Sequence, residues 1–242
     1  MTSADAEFGD AANAAATAFA ATPPYVTYRL HLRAVRGDAV RDEHFRIAFR
    51  TSDGNATVTI ADGKPARRTP PALPPAVDAL AQWAFAFDSA AADIVMRVTY
   101  EHPKRFAFAT PGPNADVVAP SVLGYDVRHT GDDPGHLLLT PATADMRAFA
   151  AQPDHFVYRD VDLDATSSLP RRVTLAAPDE TLTLDYAVVS GAWLLSHVTY
   201  DAAQHGARGA IERYAIDATY DDYAFPTADP LAIFSAPAAL LQ

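Results

Sequence analysis

Apolar and polar residues alternate along most of this chain, which is the pattern of β-strands that bury one face. The alternation is clearest in residues 25–33, where one face carries Val26, Tyr28, Leu30 and Leu32 and the other carries Thr27, Arg29, His31 and Arg33. In residues 156–163 the same pattern sets Val157, Arg159, Val161 and Leu163 opposite Phe156, Tyr158, Asp160 and Asp162. Further strand candidates are residues 44–50, 57–60, 94–101, 106–108, 123–127, 137–139, 172–176, 181–189, 192–200 and 211–225. These twelve candidates, two of them only three residues long, predict about ten or eleven antiparallel strands.

Two segments have helical periodicity instead. Residues 4–21 are rich in alanine, carry Phe8 and Phe19 on one face, and are followed by two prolines that end a helix. Residues 63–92 are an insertion, in which a proline-rich loop leads into a second predicted helix at 76–92. That helix is apolar nearly all round, so we expect it to be buried or to cover another surface. Residues 230–242 are an apolar tail that we expect to dock on the body.

Many strands with two helices predict an α+β fold that is mainly β, with the helices covering one side of an antiparallel sheet. No change in composition along residues 1–242 marks a boundary, so a single domain is expected.

Charge and composition exclude several classes of function. The formal net charge is −11, so nucleic acid is a poor partner. There is no cysteine, which excludes disulfides and a thiolate nucleophile. No apolar run approaches the ~20 residues of a membrane span. Residues 1–21 lack the basic start of a signal peptide, so we expect either a mature exported form or a cytosolic protein.

Motifs of catalysis and metal binding are missing from the sequence. Asp160, Asp162 and Asp164 have the spacing of a calcium loop, but Ala165 and Arg171 stand where glycine and glutamate are needed, so a solvated strand face is the better interpretation. The eight histidines form no zinc motif, and His31 and His44 fall on the wet faces of strands. We therefore predict no catalytic residue, no metal site and no cofactor. A Ser-His-Asp triad assembled by the fold stays open.

The positive signal is a surplus of large apolar side chains on the dry face and on the second predicted helix. A ligand cavity is one interpretation and an ordinary core is the other. The predicted cavity residues are Tyr28, Phe45, Phe49, Trp83, Phe85, Phe87, Met96, Phe106 and Phe108.

Residues 136–225 resemble a known family. A strand ends in Leu-Thr-Pro at 139–141, a helical spacer follows, and a second strand continues into Thr166, Pro170 and Val173. A hairpin with Gly191 and Trp193 and a long closing strand that ends at 220–225 complete the likeness. In these features the chain is similar to the outer-membrane lipoprotein-carrier superfamily (LolA/LolB-like, lipoprotein-sorting).

The resemblance implies an incomplete antiparallel β-barrel around an apolar cavity closed by helices. It also implies a periplasmic or secreted, non-enzymatic bacterial envelope protein that carries or senses lipid or lipoprotein acyl chains. A further envelope protein is a possible partner, and we expect a monomer. Two alternatives stay open: a structural or regulatory protein-interaction module with a core filled by side chains, and an enzyme with a site at the barrel mouth.

Overall fold

A computed structural model describes residues 3–50, 56–60, 125–131, 133–151, 157–205 and 211–230 of the 242-residue chain. Its helices are α1 (Ala4–Ala20) and α2 (Ala144–Ala150). Its strands are β1 (Tyr25–Arg36), β2 (Ala39–Arg50), β3 (Ala56–Ile60), β4 (Tyr125–Thr130), β5 (Asp133–Pro141), β6 (Val157–Leu163), β7 (Pro170–Ala177), β8 (Glu180–Val189), β9 (Ala192–His205) and β10 (Ile211–Ala224).

The described strands form one ten-stranded sheet in the order β3-β2-β1-β10-β9-β8-β7-β6-β5-β4. Every described pairing is antiparallel, and β1 and β10, from opposite ends of the chain, lie side by side. The order ends at β3 and β4 and does not return on itself, so the described strands make an open sheet. The predicted class, an α+β and mainly β fold with an incomplete antiparallel barrel, is confirmed.

One face of the sheet is the core, and α1 packs on it. Alanine favours the helix, and Ser3 accepts a hydrogen bond from the backbone N–H of Ala6 (3.3 Å) in its first turn. The apolar stripe of α1 contains Phe8, Ala11, Ala12 and Ala15, all buried. The helix contacts mainly β4 and β9, and Phe8 packs on Tyr158 of β6 between them. Accordingly, α1 covers the β4–β9 half of the core face.

The alternation predicted for residues 156–163 is wrong at Tyr158 and Arg159. Tyr158 is fully buried and Arg159 is exposed, because the pairing of β6 with β7 is irregular between Tyr158 and Asp160. A β-bulge of this kind adds one residue to one strand and so reverses the faces on one side of it. The buried N–H of Tyr158 donates to the hydroxyl of Tyr125 (3.0 Å).

Several predicted elements lie outside the described residues. These are the insertion with its helix at 76–92, the strands at 94–101 and 106–108, and the tail at 230–242 apart from Pro230. The single domain therefore stays a prediction. Within the described part of the chain, no helix has both the length and the hydropathy of a membrane span.

Candidate functional site

The core face carries a cluster of tyrosines where β1 meets β10. Tyr28, one of the predicted cavity residues, is 8% exposed, and its ring centroid lies 5.9 Å from that of Tyr220 and 5.3 Å from that of Tyr223. The sequence pattern selected Tyr28 but not its two neighbours, which belong to a strand nearly 200 residues further along the chain. We call Tyr28, Tyr220 and Tyr223 the tyrosine cluster.

A bulge in β10 brings the cluster together. Thr27 pairs with Ala224 and Arg29 with Asp221, so Asp222 and Tyr223 together face Tyr28. Asp222 has a φ of 54°, a left-handed conformation that aspartate tolerates better than most residues, and its carboxylate pairs with Arg29 (2.9 Å). The additional residue allows both Tyr220 and Tyr223 to approach Tyr28.

Tyr223 is fixed within the cluster by its hydroxyl. The Oη atom donates to the carbonyl of Leu195 in β9 (2.5 Å). Burial, together with the nearby charge of Asp221, raises the pKa of Tyr223 well above its usual range. The phenol is therefore neutral at physiological pH, and it acts as a hydrogen-bond donor inside an apolar surface.

The other eight predicted cavity residues fall into two groups. Strand pairing sets Phe45 opposite Leu30 and Phe49 opposite Val26, so both belong to the strand beside Tyr28. The remaining six, which lie outside the described residues, are Trp83, Phe85, Phe87, Met96, Phe106 and Phe108. A cavity formed by all nine residues therefore stays a prediction.

A second aromatic pair, at the β8–β9 hairpin, was not among the predicted cavity residues. The rings of Tyr186 and Trp193 stack with centroids 4.1 Å apart and planes 15° apart. The indole N–H of Trp193 donates to the carbonyl of Pro170 (2.9 Å), which ties β9 to the start of β7. Burial raises the pKa of Tyr186 well above its usual range. The alternation of residues 181–189 was the available signal, although it did not separate Tyr186 from ordinary core.

A pocket of about 320 Å³ opens beside the first turns of α1, away from the tyrosine cluster. Its lining is Glu7, Asp10, Gly135, Leu163, Asp164, Ala165 and Ser168. The lining contains three carboxylates and none of the nine predicted cavity residues. It therefore does not have the character of a site for an apolar chain.

The opposite face of the sheet carries a row of polar side chains that runs across eight strands. Each member is the direct pairing partner of the next: His136, Asp162, Arg172, Asp185, His197, Thr219, His31 and His44. Directly paired residues of antiparallel strands share a face, so these side chains are neighbours. We call this set the polar row.

Hydrogen bonds and ion pairs connect members of the polar row to one another and to flanking aspartates. His136 pairs with Asp162, and the guanidinium of Arg172 binds both oxygens of Asp185 (2.6 and 3.2 Å). The hydrogen bond to Asp185 raises the pKa of Arg172. His197 lies between two carboxylates, with its Nδ1 atom 3.4 Å from Asp185. Sequence reasoning found these residues polar but could not place them in one row.

The three aspartates with calcium-like spacing have separate roles. Asp160 pairs with Arg159 (2.9 Å) and Asp162 with His136, both on the outer side of β6. Asp164 follows the strand, and its Oδ1 atom accepts hydrogen bonds from the N–H groups of Thr166 and Ser167. The interpretation of Asp160 and Asp162 as a solvated strand face agrees with these positions.

Comparisons with known proteins find likeness at the level of structure. No family model matches the chain, and no curated protein matches it. A DUF1329 family protein from Desulfovibrio piger is similar at 11% identity and a TM-score of 0.46, over 98% of this chain and 99% of that one. A LolA superfamily protein from Nitrosomonas europaea is similar at 13% identity and a TM-score of 0.41, over 97% and 98%.

An outer membrane lipoprotein-sorting protein domain from Vibrio parahaemolyticus is also similar, at 11% identity and a TM-score of 0.42, over 95% of this chain and 97% of that one.

Proposed function

We propose that this protein is a non-enzymatic carrier or sensor that holds a hydrophobic ligand, a lipid or lipoprotein acyl chain, against the β1–β10 part of its core face. The tyrosine cluster is the observation that carries the proposal. It places three aromatic rings on an apolar surface beside the part that α1 covers. Each buried methylene of an acyl chain contributes roughly 0.8 kcal/mol on such a surface.

The proposed ligand-contacting set extends beyond the tyrosine cluster. β3 ends at Ile60 and β4 begins at Tyr125, and these two strands are the two ends of the strand order. The chain between them therefore links one end of the sheet to the other, and it contains six of the predicted cavity residues. The proposal includes these six together with Tyr28, Phe45 and Phe49 as the ligand-contacting set.

The sequence resemblance is the reason for proposing a bacterial envelope location, periplasmic or secreted, with a possible envelope protein partner. The proposed mode of ligand binding requires no cofactor, because an acyl chain is held by burial of its apolar surface alone.

A structural or regulatory protein-interaction module is the second candidate. The observation that favours it is the packing beneath α1, where the core is filled by side chains. Phe8 and Tyr158 are each 0% exposed there. In the β1–β10 part, Leu30 and Leu32 are likewise 0% exposed. If side chains of this chain alone bury them, the fold presents its outer surfaces and holds no ligand.

Native mass spectrometry of the full chain, purified without detergent from its bacterial host, distinguishes the two candidates. Under the carrier proposal, the protein retains a lipid that organic extraction releases. The delipidated protein then takes up a dansyl-labelled fatty acid. A clean apo mass together with no uptake of the dansyl probe contradicts the carrier proposal and favours the interaction module.

A matched pair of tyrosine variants localises the ligand. Tyr28→Leu removes a ring from the tyrosine cluster, and we expect it to weaken fatty-acid binding by roughly tenfold. Tyr158→Leu removes a buried ring that packs on Phe8, and we expect the affinity of the folded variant to stay within about twofold of wild type because α1 occupies that position. Equal losses in both variants contradict the proposed position of the ligand.

A further inference from the structure

Two histidines and an aspartate come together on the outer side of the β1–β2 hairpin. His31 and His44 are direct pairing partners, and their rings stack with centroids 4.2 Å apart and planes 8° apart. The Nε2 atom of His31 lies 2.7 Å from Oδ1 of Asp42, and the Nε2 atom of His44 lies 3.7 Å from the same oxygen. One ligand atom from each residue lies within 4.8 Å of the others.

A short turn sets this arrangement. Gly37 and Asp38 connect β1 to β2, and Gly37 has the positive φ, 55°, that a two-residue hairpin turn favours at its first central position. With Arg36 paired to Ala39, the pairing continues residue by residue along both strands and sets His31 opposite His44. The sequence alone predicts no metal site because the two histidines are 13 positions apart and acquire their relationship from this register.

The three side chains are open to solvent. Their exposed fractions are 43% for His31, 54% for Asp42 and 60% for His44. Asp42 is also the direct pairing partner of Arg33. An aspartate carboxylate is ionised at neutral pH, as a metal ligand must be.

We propose that His31, Asp42 and His44 form a surface site for a divalent transition-metal ion, of the Zn²⁺ or Cu²⁺ type. Two imidazole nitrogens and a carboxylate oxygen are the donors these ions take, at about 2.0–2.2 Å from Zn²⁺. Small rotations of the two stacked rings bring both Nε2 atoms toward one point beside Oδ1. The proton that His31 shares with Asp42 moves to Nδ1 in the other tautomer, so Nε2 can bind the metal.

The bound ion connects β1 to β2 by side chains in addition to the backbone ladder. Tyr28, on the opposite face of β1, belongs to the tyrosine cluster, so the ion holds in place the hairpin that contributes that face. The metal site itself does not depend on the proposed ligand function.

Isothermal titration with ZnCl₂ tests the site on untagged, chelator-washed protein in a non-coordinating buffer. We expect one equivalent of Zn²⁺ to bind to wild type. His31→Ala and His44→Ala each remove a ligand, so we expect at least a tenfold loss of affinity, since even the loss of an outer-shell partner costs about 10–100-fold. Asp42→Asn weakens binding and leaves the two imidazoles in place.

His197→Ala is the matched control. His197 also lies on the outer face beside two carboxylates, but Asp185 approaches its Nδ1 atom and Asp217 its Nε2 atom, at 3.4 and 3.1 Å. These contacts are on opposite edges of the ring and do not converge on one point. We expect the affinity of this variant for Zn²⁺ to equal that of wild type.

Electron paramagnetic resonance of the wild-type protein with one equivalent of Cu²⁺ adds a readout that does not depend on the folding of a variant. We expect nitrogen hyperfine structure from two imidazoles, and from one in His44→Ala. Copper should bind more tightly than zinc. No saturable Zn²⁺ binding to wild type, a loss in His197→Ala as large as in His44→Ala, or a Cu²⁺ spectrum without two nitrogen ligands would each overturn the proposal.

Discussion

The ring of Phe8 in α1 lies edge-on to the ring of Tyr158 in β6, with centroids 5.7 Å apart and planes 73° apart. Both side chains are 0% exposed. Tyr158 is held from its other side as well, because its N–H donates to Tyr125, whose ring centroid lies 5.9 Å away. This contact joins the N-terminal helix to a strand about 150 residues away in sequence, so the stability of the whole sheet should depend on it.

Truncating Phe8 should therefore destabilise the whole protein. Phe8→Ala leaves a cavity between α1 and β6, and a loss of about 3–5 kcal/mol is expected for a buried phenylalanine. Urea denaturation followed by far-UV circular dichroism measures the loss. Asn13→Ala is the control, because Asn13 is exposed on the same helix and the substitution should change stability by less than about 0.5 kcal/mol. A similar unfolding midpoint for the two variants would show that α1 is not docked as described.

The sequence could predict both partners of this contact as apolar or aromatic, but not the contact itself. The helical stripe with Phe8 and the strand face with Tyr28 followed from periodicity, since local side-chain direction is set by 3.6- and 2-residue repeats. The alternation placed Tyr158 on the same face as Asp160 and Asp162, because one bulged residue is invisible in the alternation and reverses the faces on one side of it.

Long-range register is the other part that could not be predicted. His31 and His44 were recognised as polar positions on strands, and Tyr28 as a residue of the dry face. The cross-strand neighbours of these three residues depend on which strands lie side by side and on the register in which those strands pair. In this fold the first strand pairs with the last, so Tyr223 reaches Tyr28 across almost the whole chain. Periodicity contains no information about that pairing.

The β8–β9 turn predicts opposite effects for two neighbouring substitutions. Ser190 and Gly191 both have positive φ, 51° and 85°, as a type I′ hairpin turn requires. Ser190→Asn should raise the free energy of unfolding by about 0.5 kcal/mol, because asparagine adopts this conformation more readily than serine. Thermal and urea unfolding both measure the change.

Gly191→Ala should lower stability by about 1–2 kcal/mol. A Cβ atom added at Gly191 would meet nothing within 4 Å, so the whole cost is backbone strain. If Gly191→Ala were neutral while Ser190→Asn gained stability, the left-handed assignment of Gly191 would be wrong.

Two Arg–Asp pairs on the outer face should contribute differently to the free energy of unfolding. Each carboxylate receives two hydrogen bonds from its arginine, Asp185 from Arg172 and Asp201 from Arg213, but Asp185 is 19% exposed and Asp201 is 49% exposed. Asp185→Ala should lower the free energy of unfolding by about 1.5–3 kcal/mol, because charge-assisted hydrogen bonds are lost in a partly buried position. Asp201→Ala should cause little change, since solvent screens an exposed pair. Urea denaturation at neutral pH compares the two, and equal effects would contradict the difference in burial.

Asp164 should give the protein a stability that depends on acid pH. The backbone N–H and hydroxyl of Ser167 and the N–H of Thr166 donate to its carboxylate and hold its pKa below the ordinary value. A group with a lowered folded-state pKa stabilises the fold above its unfolded pKa, and that contribution disappears as the pH falls through the folded pKa. The free energy of unfolding of wild type should therefore exceed that of Asp164→Ala most at neutral pH, and the difference should shrink in acid. Asp201→Ala, measured over the same pH series, controls for general acid destabilisation. A difference between wild type and Asp164→Ala that stays constant from neutral pH into acid would show that the hydrogen bonds at Asp164 do not favour its charged form.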